Sequence, residues 1–287
     1  MSDTLSVLFI SDIVGRPGRA AVREWVPRLR KRFDVDLCIA NGENAAGGFG
    51  LTPHTAGELL ARGIDVITSG NHIWDRREIL PLLEEDGRIL RPANYPSGAP
   101  GRGFTVRTLE RGEKVAVVSL QGRVFMGESD CPFRTADELV EDLRRTTPLI
   151  VVDFHAEATS EKIALGWFLD GRVSAVIGTH THVQTADERI LPGGTAYLTD
   201  AGMTGPFDSI IGTVKQAALG RFLTQVPARF DVADGDVRLS GVVLTLDPDT
   251  GRAVGIERLR ESLSGAPGGR RTQRVIREAE REPPEEE

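Results

Sequence analysis

The sequence predicts an α/β fold, and three observations carry that reading. Short apolar runs rich in Val, Ile and Leu recur along the chain, at Val7–Ile10, Leu37–Ala40, Val66–Thr68, Val115–Leu120, Leu149–Phe154, Val173–Ile177 and Ala196–Thr199. Helix-like segments lie between them, at Arg19–Phe33, His54–Arg62, Arg76–Glu84, Ala136–Thr146 and Ser160–Leu169. The runs are apolar almost without interruption, as expected of strands buried on both faces. Strands alternating with helices build an α/β sheet.

Local signals set several boundaries. Thr52 is placed to cap the helix that follows, with Pro53 at its first position, where a missing N–H does no harm. Between Pro227 and Leu259 the pattern changes. Arg229–Val232, Val237–Leu246 and Ala253–Leu259 are separated by ADGD and DPDTG, turn sequences that predict a late antiparallel segment. After Glu261 the chain becomes rich in Gly, Pro and charge, which predicts a flexible charged tail over 261–287 behind a single domain over 1–260.

Composition narrows the function. The formal charge of −7 argues against sequence-independent binding to long nucleic acid, which needs surplus Lys and Arg. Two cysteines, Cys38 in an apolar run and Cys131 in ESDCPF, do not make a disulfide framework. There is no basic leader and no apolar stretch of the roughly 20 residues needed to span a bilayer, so a cytoplasmic location and no membrane partner are expected.

The informative residues stand at the ends of the apolar runs. Asp12 follows the first, Asn41-Gly42-Glu43-Asn44 the second, Ser69-Gly70-Asn71-His72 the third, His155 the run ending at Phe154, and His180-Thr181-His182 the run ending at Ile177. Ligands of open α/β sheets bind outside the carboxyl ends of the strands, so five such clusters can converge on one edge. The chain has five histidines, and four of them lie in these positions; His54 falls in a helix start and reads as structural. Taken singly, Asp12 reads as a turn or cap residue and NGEN as a tight turn. On an extended segment, His180 and His182 would face the same way and suit one metal or two adjacent ones.

Asp12, Glu43, Asn44, Asn71, His155, His180 and His182 mix carboxylate, amide oxygen and imidazole without thiolate. They are too many for one tetrahedral zinc and suit two ions of higher coordination, with iron, manganese or zinc all compatible. Two ions ~3.5–4 Å apart suit the hydrolysis of phosphate esters.

In order, SDIVG, NGEN, GNH, an isolated His and GTHTH resemble the five motifs of the calcineurin-like metallophosphoesterases. Longer stretches, NGENAAGGFGLT, GNHIWD, RPANYP, DFHAEATSEK, GTHTHVQTADERILPGGTAY and TDAGMTGP, resemble the YmdB-like 2′,3′-cyclic nucleotide phosphodiesterases, from about residue 5 to residue 260. The resemblance implies a four-layer αββα sandwich of two facing mixed sheets. It implies one metal on Asp12, Glu43, Asn44 and His182 and a second on Glu43, Asn71, His155 and His180, with iron or manganese favoured and zinc the alternative. Attack by a metal-bridging hydroxide would open a cyclic nucleotide such as 2′,3′-cAMP, with His72 as general acid. Homo-oligomers, dimer or tetramer, are among the expected assemblies. The chain departs from the wider superfamily in lacking the His of a D-x-H first motif and in placing Glu43 where an Asp is usual; Asn44 would compensate.

Arg123, after the run Val115–Leu120, is a candidate substrate contact or a plain surface residue, and Thr204–Asp208 a candidate pocket mouth or a turn. Alternative functions are a nuclease, nucleotidase or protein phosphatase on the same centre, or a nucleotide-sensing regulator with low turnover.

Overall fold

The computed structural model describes residues 4–263 together with Gln273–Arg274. The strands in chain order are β1 (Leu5–Ile10), β2 (Asp12–Ile13), β3 (Leu37–Asn41), β4 (Val66–Thr68), β5 (Phe104–Thr108), β6 (Lys114–Gln121), β7 (Ile150–His155), β8 (Ala175–Thr179), β9 (Arg189–Ile190), β10 (Ala196–Leu198), β11 (Met203–Pro206), β12 (Val237–Leu246), β13 (Ala253–Ser262) and β14 (Gln273–Arg274). The helices are α1 (Gly15–Arg32), α2 (Pro53–Leu60), α3 (Leu80–Glu85), α4 (Pro132–Leu143), α5 (Thr159–Phe168) and α6 (Lys215–Thr224). The expected tail beyond Leu263 lies outside the described residues, apart from β14, which pairs with β13.

Two mixed sheets form. The first runs β14-β13-β12-β1-β3-β4, with β11 joining β12 to β2. Within it β1, β3 and β4 are parallel, whereas β1 meets β12 antiparallel, Leu5 opposite Leu246. The second runs β5-β6-β7-β8-β10-β9, parallel from β6 to β10 and antiparallel at both edges.

Strand alternation explains the layers. Successive side chains point to opposite faces, so Val7 and Phe9 of β1 enter one cluster while Leu8 and Ile10 enter another. The cluster with Val7 and Phe9 also holds Leu37, Ile39, Val117, Val151, Ile177 and Leu198, and so lies between the sheets. Leu8, Ile10, Cys38 and Ala40 pack against Val22, Val26 and Leu29 of α1 and Ala56 and Leu59 of α2. On the far side, Val118, Leu120, Val152 and Phe154 pack against Val140 of α4 and Leu165 of α5. The order is helix, sheet, sheet, helix, the expected four-layer sandwich. Fully buried strands account for the near-continuous apolar runs.

Several expectations need adjusting. Thr52 does cap α2, and the cap is reciprocal: its hydroxyl accepts from the Thr55 N–H and the Thr55 hydroxyl accepts from its own N–H, at 3.1 and 2.9 Å. α1 begins at Gly15 rather than Arg19. Residues 76–84 split into a 3₁₀ turn at Arg77–Ile79 and the short α3. The late antiparallel pair is β12–β13, but Arg229–Val232 forms only an isolated bridge from Val232 to Thr213, with Arg229 and Asp231 exposed. Thr204–Asp208 is no plain turn: its first three residues belong to β11, which pairs with β2 and β12. α6 lies outside the expected helices; it buries only Ala218, and the apolar residues it carries at helical spacing, Leu219, Phe222 and Leu223, are exposed. No helix among the described residues is long and apolar enough to cross a membrane.

Candidate metal centre and active site

The parallel strands bring all five polar clusters to one edge. Asp12 lies on β2, Glu43 and Asn44 follow β3, and Asn71 and His72 follow β4. His155 ends β7, and His180 and His182 follow β8. The first sheet therefore supplies the carboxylates and amides and the second the three imidazoles, meeting where the apolar layer between the sheets ends. Gly70 permits this approach, since a β-carbon there would lie 2.0 Å from His155 Cδ2.

His155 Nε2 is the centre of the geometry. It lies 3.0 Å from Glu43 Oε1, 3.1 Å from Asn71 Oδ1 and 3.0 Å from His180 Nδ1. One N–H cannot serve three acceptors, but a cation can take all four atoms. Ligand atoms ~2.1 Å from an ion and at right angles lie ~3.0 Å apart, so the spacing is that of a coordination shell. Beside it, Asn44 Nδ2 lies 3.2 Å from Glu43 Oε1 and 3.3 Å from His182 Nε2. A half-turn of the amide, which leaves its shape unchanged, would turn its oxygen inward instead. Asp12 Oδ1 lies 3.8 Å from both His155 Nδ1 and His182 Nε2. That oxygen is buried and has no hydrogen-bond partner among the described residues. A buried carboxylate oxygen without a donor is costly, and a cation would satisfy it. Glu43, His155 and His180 alone offer three ligand atoms within 4.8 Å of one another.

The outward nitrogens are tied down, which sets the tautomers. His155 Nδ1 is 2.9 Å from Thr179 Oγ1, which donates to Asp153 Oδ1 at 2.7 Å. His182 Nδ1 is 2.9 Å from the Ile211 carbonyl, and His180 Nε2 is 3.1 Å from Glu157 Oε2. Each acceptor draws one N–H outward, so the other nitrogen is the one that faces the cluster and can give a lone pair to an ion once it carries no proton. Asp153 also accepts from Asn41 and Thr68, so one buried carboxylate braces β3, β4, β7 and β8 beneath the site.

The charges are mutually adjusted. Burial pushes the Asp12 carboxyl up to about 6, against the pull of His182 and His155. Burial also opposes ionisation of Glu43, but the charge and hydrogen bond of His155 outweigh it and hold Glu43 at about 2. His155 also resists charge through burial, yet Glu43, Asp12 and Asp153 raise it to about 9. Burial and its charged neighbour His155 hold His180 down at about 3. A proton on His155 is thus the counter-charge to Glu43.

His180 and His182 do not lie on an extended segment. Their φ values are 102° and 63°, in the left-handed region that β-carbon-bearing residues avoid. Asp200 holds this loop: its Oδ2 accepts from the Thr181 N–H and hydroxyl at 3.1 and 2.8 Å. Lys162, fully buried, pairs with the same oxygen at 2.7 Å. Asp153, Glu157, Lys162 and Asp200 all lie outside the expected site. A charged residue inside the run LIVVDF is the available signal for Asp153, and a place directly after the run Ala196–Thr199 is that for Asp200.

A cavity of about 850 Å³ opens over the cluster, with Glu43, Asn44, His72, His180 and His182 in its lining. His72 Nδ1 is 2.8 Å from Asp75 Oδ2, and its backbone N–H donates to Glu43 Oε2 at 3.3 Å. Asn71 faces a second cavity of about 660 Å³, beside Tyr95 and Gln121. Arg123 lines neither: its side chain is exposed, and its backbone N–H and that of Val124 donate to Glu161. His54 is exposed on α2.

Fold and site together define a metal-using phosphoric ester hydrolase with a calcineurin-like sandwich. The chain belongs to the family of YmdB-like proteins, whose model matches residues 8–259. It is 52 % identical over 255 residues, 89 % of this chain and 96 % of the other, to the 2′,3′-cyclic-nucleotide 2′-phosphodiesterase of Bacillus subtilis (strain 168). A hypothetical protein from Thermus thermophilus has a crystal structure similar to this one, with a TM-score of 0.85 and 45 % identity over 90 % of this chain and 99 % of that one. The structure of a phosphatase from Mycoplasma pneumoniae is similar with a TM-score of 0.86 and 33 % identity, over 91 % and 95 % of the two chains.

Lys162 and Asp200 are each 1 % exposed, so removing one partner strands a buried charge. Lys162→Met is expected to destabilise the fold by about 3–5 kcal/mol. Urea unfolding is the measurement, and a wild-type midpoint would contradict it.

Proposed function

We propose that this chain is a dinuclear metal-dependent phosphodiesterase that opens small 2′,3′-cyclic nucleotides. The observation that carries the reading is the crowding of Glu43, Asn71 and His180 around His155 Nε2 at 3.0–3.1 Å, with the partnerless Asp12 oxygen alongside. One ion would take Asp12, Glu43, Asn44 and His182; the other would take Glu43, Asn71, His155 and His180. Glu43 would be shared. The oxygen-rich, thiolate-free set suits iron or manganese, with zinc the alternative. When bound, such a pair supplies a water acidic enough to act as nucleophile near neutral pH and positive charge for the phosphoryl oxygens.

The protein's own groups account for the rest. His72 stands on the cavity lining with Nδ1 engaged by Asp75, which orients the ring and leaves Nε2 to protonate the departing ribose oxygen. The Bacillus relative's name specifies the 2′ ester; the same bond broken here would make O2′ the leaving atom and a 3′-phosphate the product. The cavity has the size of a small-ligand site, and the net charge of −7 disfavours long nucleic acid.

Turnover of 2′,3′-cAMP by the metal-loaded protein tests the proposal. His72→Ala should lose about 10²- to 10⁴-fold in rate while elemental analysis finds wild-type metal content. A wild-type rate in that variant removes the general-acid role. Glu43→Ala should lose metal together with activity, and full occupancy in it would rule out the shared ligand.

Metal uptake should also depend on pH. His155 holds its proton up to about 9 in the folded chain, well above its ordinary value of 6.5. An ion must displace that proton, so affinity should rise as pH increases towards 9 and fall as pH decreases. Mn²⁺ titrated into chelator-stripped protein should bind up to about tenfold tighter per pH unit between pH 7 and 8.5, for one proton released. A flat profile would show that no proton leaves His155 when the ion binds.

A further inference from the structure

Part of the active-site cavity has no role in holding metal or phosphate. Phe49, Phe222 and Phe230 line it, with Ile211 and Val232. Phe49 comes from the loop after Asn44, and its ring meets the His72 ring edge-on, with centroids 4.9 Å apart. Phe222 lies on α6 and is 80 % exposed. Phe230 follows α6, with the Arg221 guanidinium 5.2 Å over its ring. A large aromatic side chain is seldom left this open to water. At the rim of a catalytic cavity, such a ring marks a surface for a flat apolar ligand.

We infer that this aromatic part of the cavity is a nucleobase subsite, formed by Phe49, Phe222 and Phe230. The inference rests on the phosphodiesterase reading and deepens it. The connectivity of the substrate links the two regions. In a 2′,3′-cyclic nucleotide, the carbon carrying O2′ is bonded to the carbon that carries the base. A group that protonates O2′ therefore works within a few bonds of the base. His72 is that group, and Phe49 is its ring neighbour. Every base has a π face, so stacking accepts all four and favours purines, which cover more area. Arg221, Gln225 and Asp231 also line the cavity and can meet polar base edges.

The test compares kcat/KM for 2′,3′-cAMP with that for glycerol 1,2-cyclic phosphate, which keeps the five-membered cyclic ester but has no base. Wild-type protein should prefer 2′,3′-cAMP. Phe222→Ala should shrink that preference by about 5- to 150-fold, the usual contribution of one base stack, mainly through KM. Phe222→Trp should restore it. Leu223→Ala, on the same helix but not lining the cavity, should keep the wild-type preference. An unaltered preference in Phe222→Ala, or an equal loss in Leu223→Ala, overturns the subsite while leaving the phosphodiesterase reading intact. If metal-loaded wild-type protein turns over neither ester, both fall together.

Discussion

Glu43 and His155 meet 3.0 Å apart with almost no exposure, and they come from different sheets. Most of the sandwich is closed by non-directional apolar contact, which tolerates sliding. This ion pair does not tolerate it. Beneath it, Asp153 gathers Asn41, Thr68 and Thr179 from three strands, so the sheets are registered by a polar column at the end of an apolar layer. Buried charge contributes little net stability, and its attested use is to specify one arrangement among many. Here the arrangement specified is one in which one ring nitrogen of each of three imidazoles faces a shared centre.

Chemistry and recognition draw on different parts of the chain. The donor cluster is assembled from strand ends, where the backbone is fixed by ladders on both sides. The aromatic lining of the cavity comes mostly from the segment between β11 and β12, whose helix buries one residue. Rigid positioning matters most where charges must sit within tenths of an ångström. A stacking surface needs only area and approximate parallelism, and a lightly anchored helix provides both.

The same division explains what the sequence disclosed. Buried parallel strands leave unmistakable apolar runs, and a polar residue at the end of each is conspicuous, so the α/β class and the convergence of Asp12, Glu43, Asn71, His155 and His180 could be read directly, whereas the four layers followed only from the family resemblance. The left-handed backbone at His180 and His182 was hidden, because nothing local demands it; a tertiary contact from Thr181 to Asp200 accompanies it. α6 was passed over although Leu219, Phe222 and Leu223 recur at helical spacing, and its stripe is exposed rather than packed on a core. Arg229–Val232 resembled a strand by composition, but its pairing there is a single bridge to Thr213. Arg123 followed a strand end like the true members of the cluster, yet β6 lies one strand further out, and its chain turns to meet Glu161.

The register of β1 against β12 sets the order of assembly. Leu5 pairs with Leu246, so β1 waits for a strand made far later in the chain. Until then β1 has one open edge, and an unpaired edge invites pairing with other chains. Asp12 waits too, since β2 is paired by β11 at Met203. Contacts this distant in sequence slow folding. A nascent chain halted before residue 237 would carry every proposed metal ligand and still lack the strand that completes the first sheet, so the centre is a late product of biosynthesis.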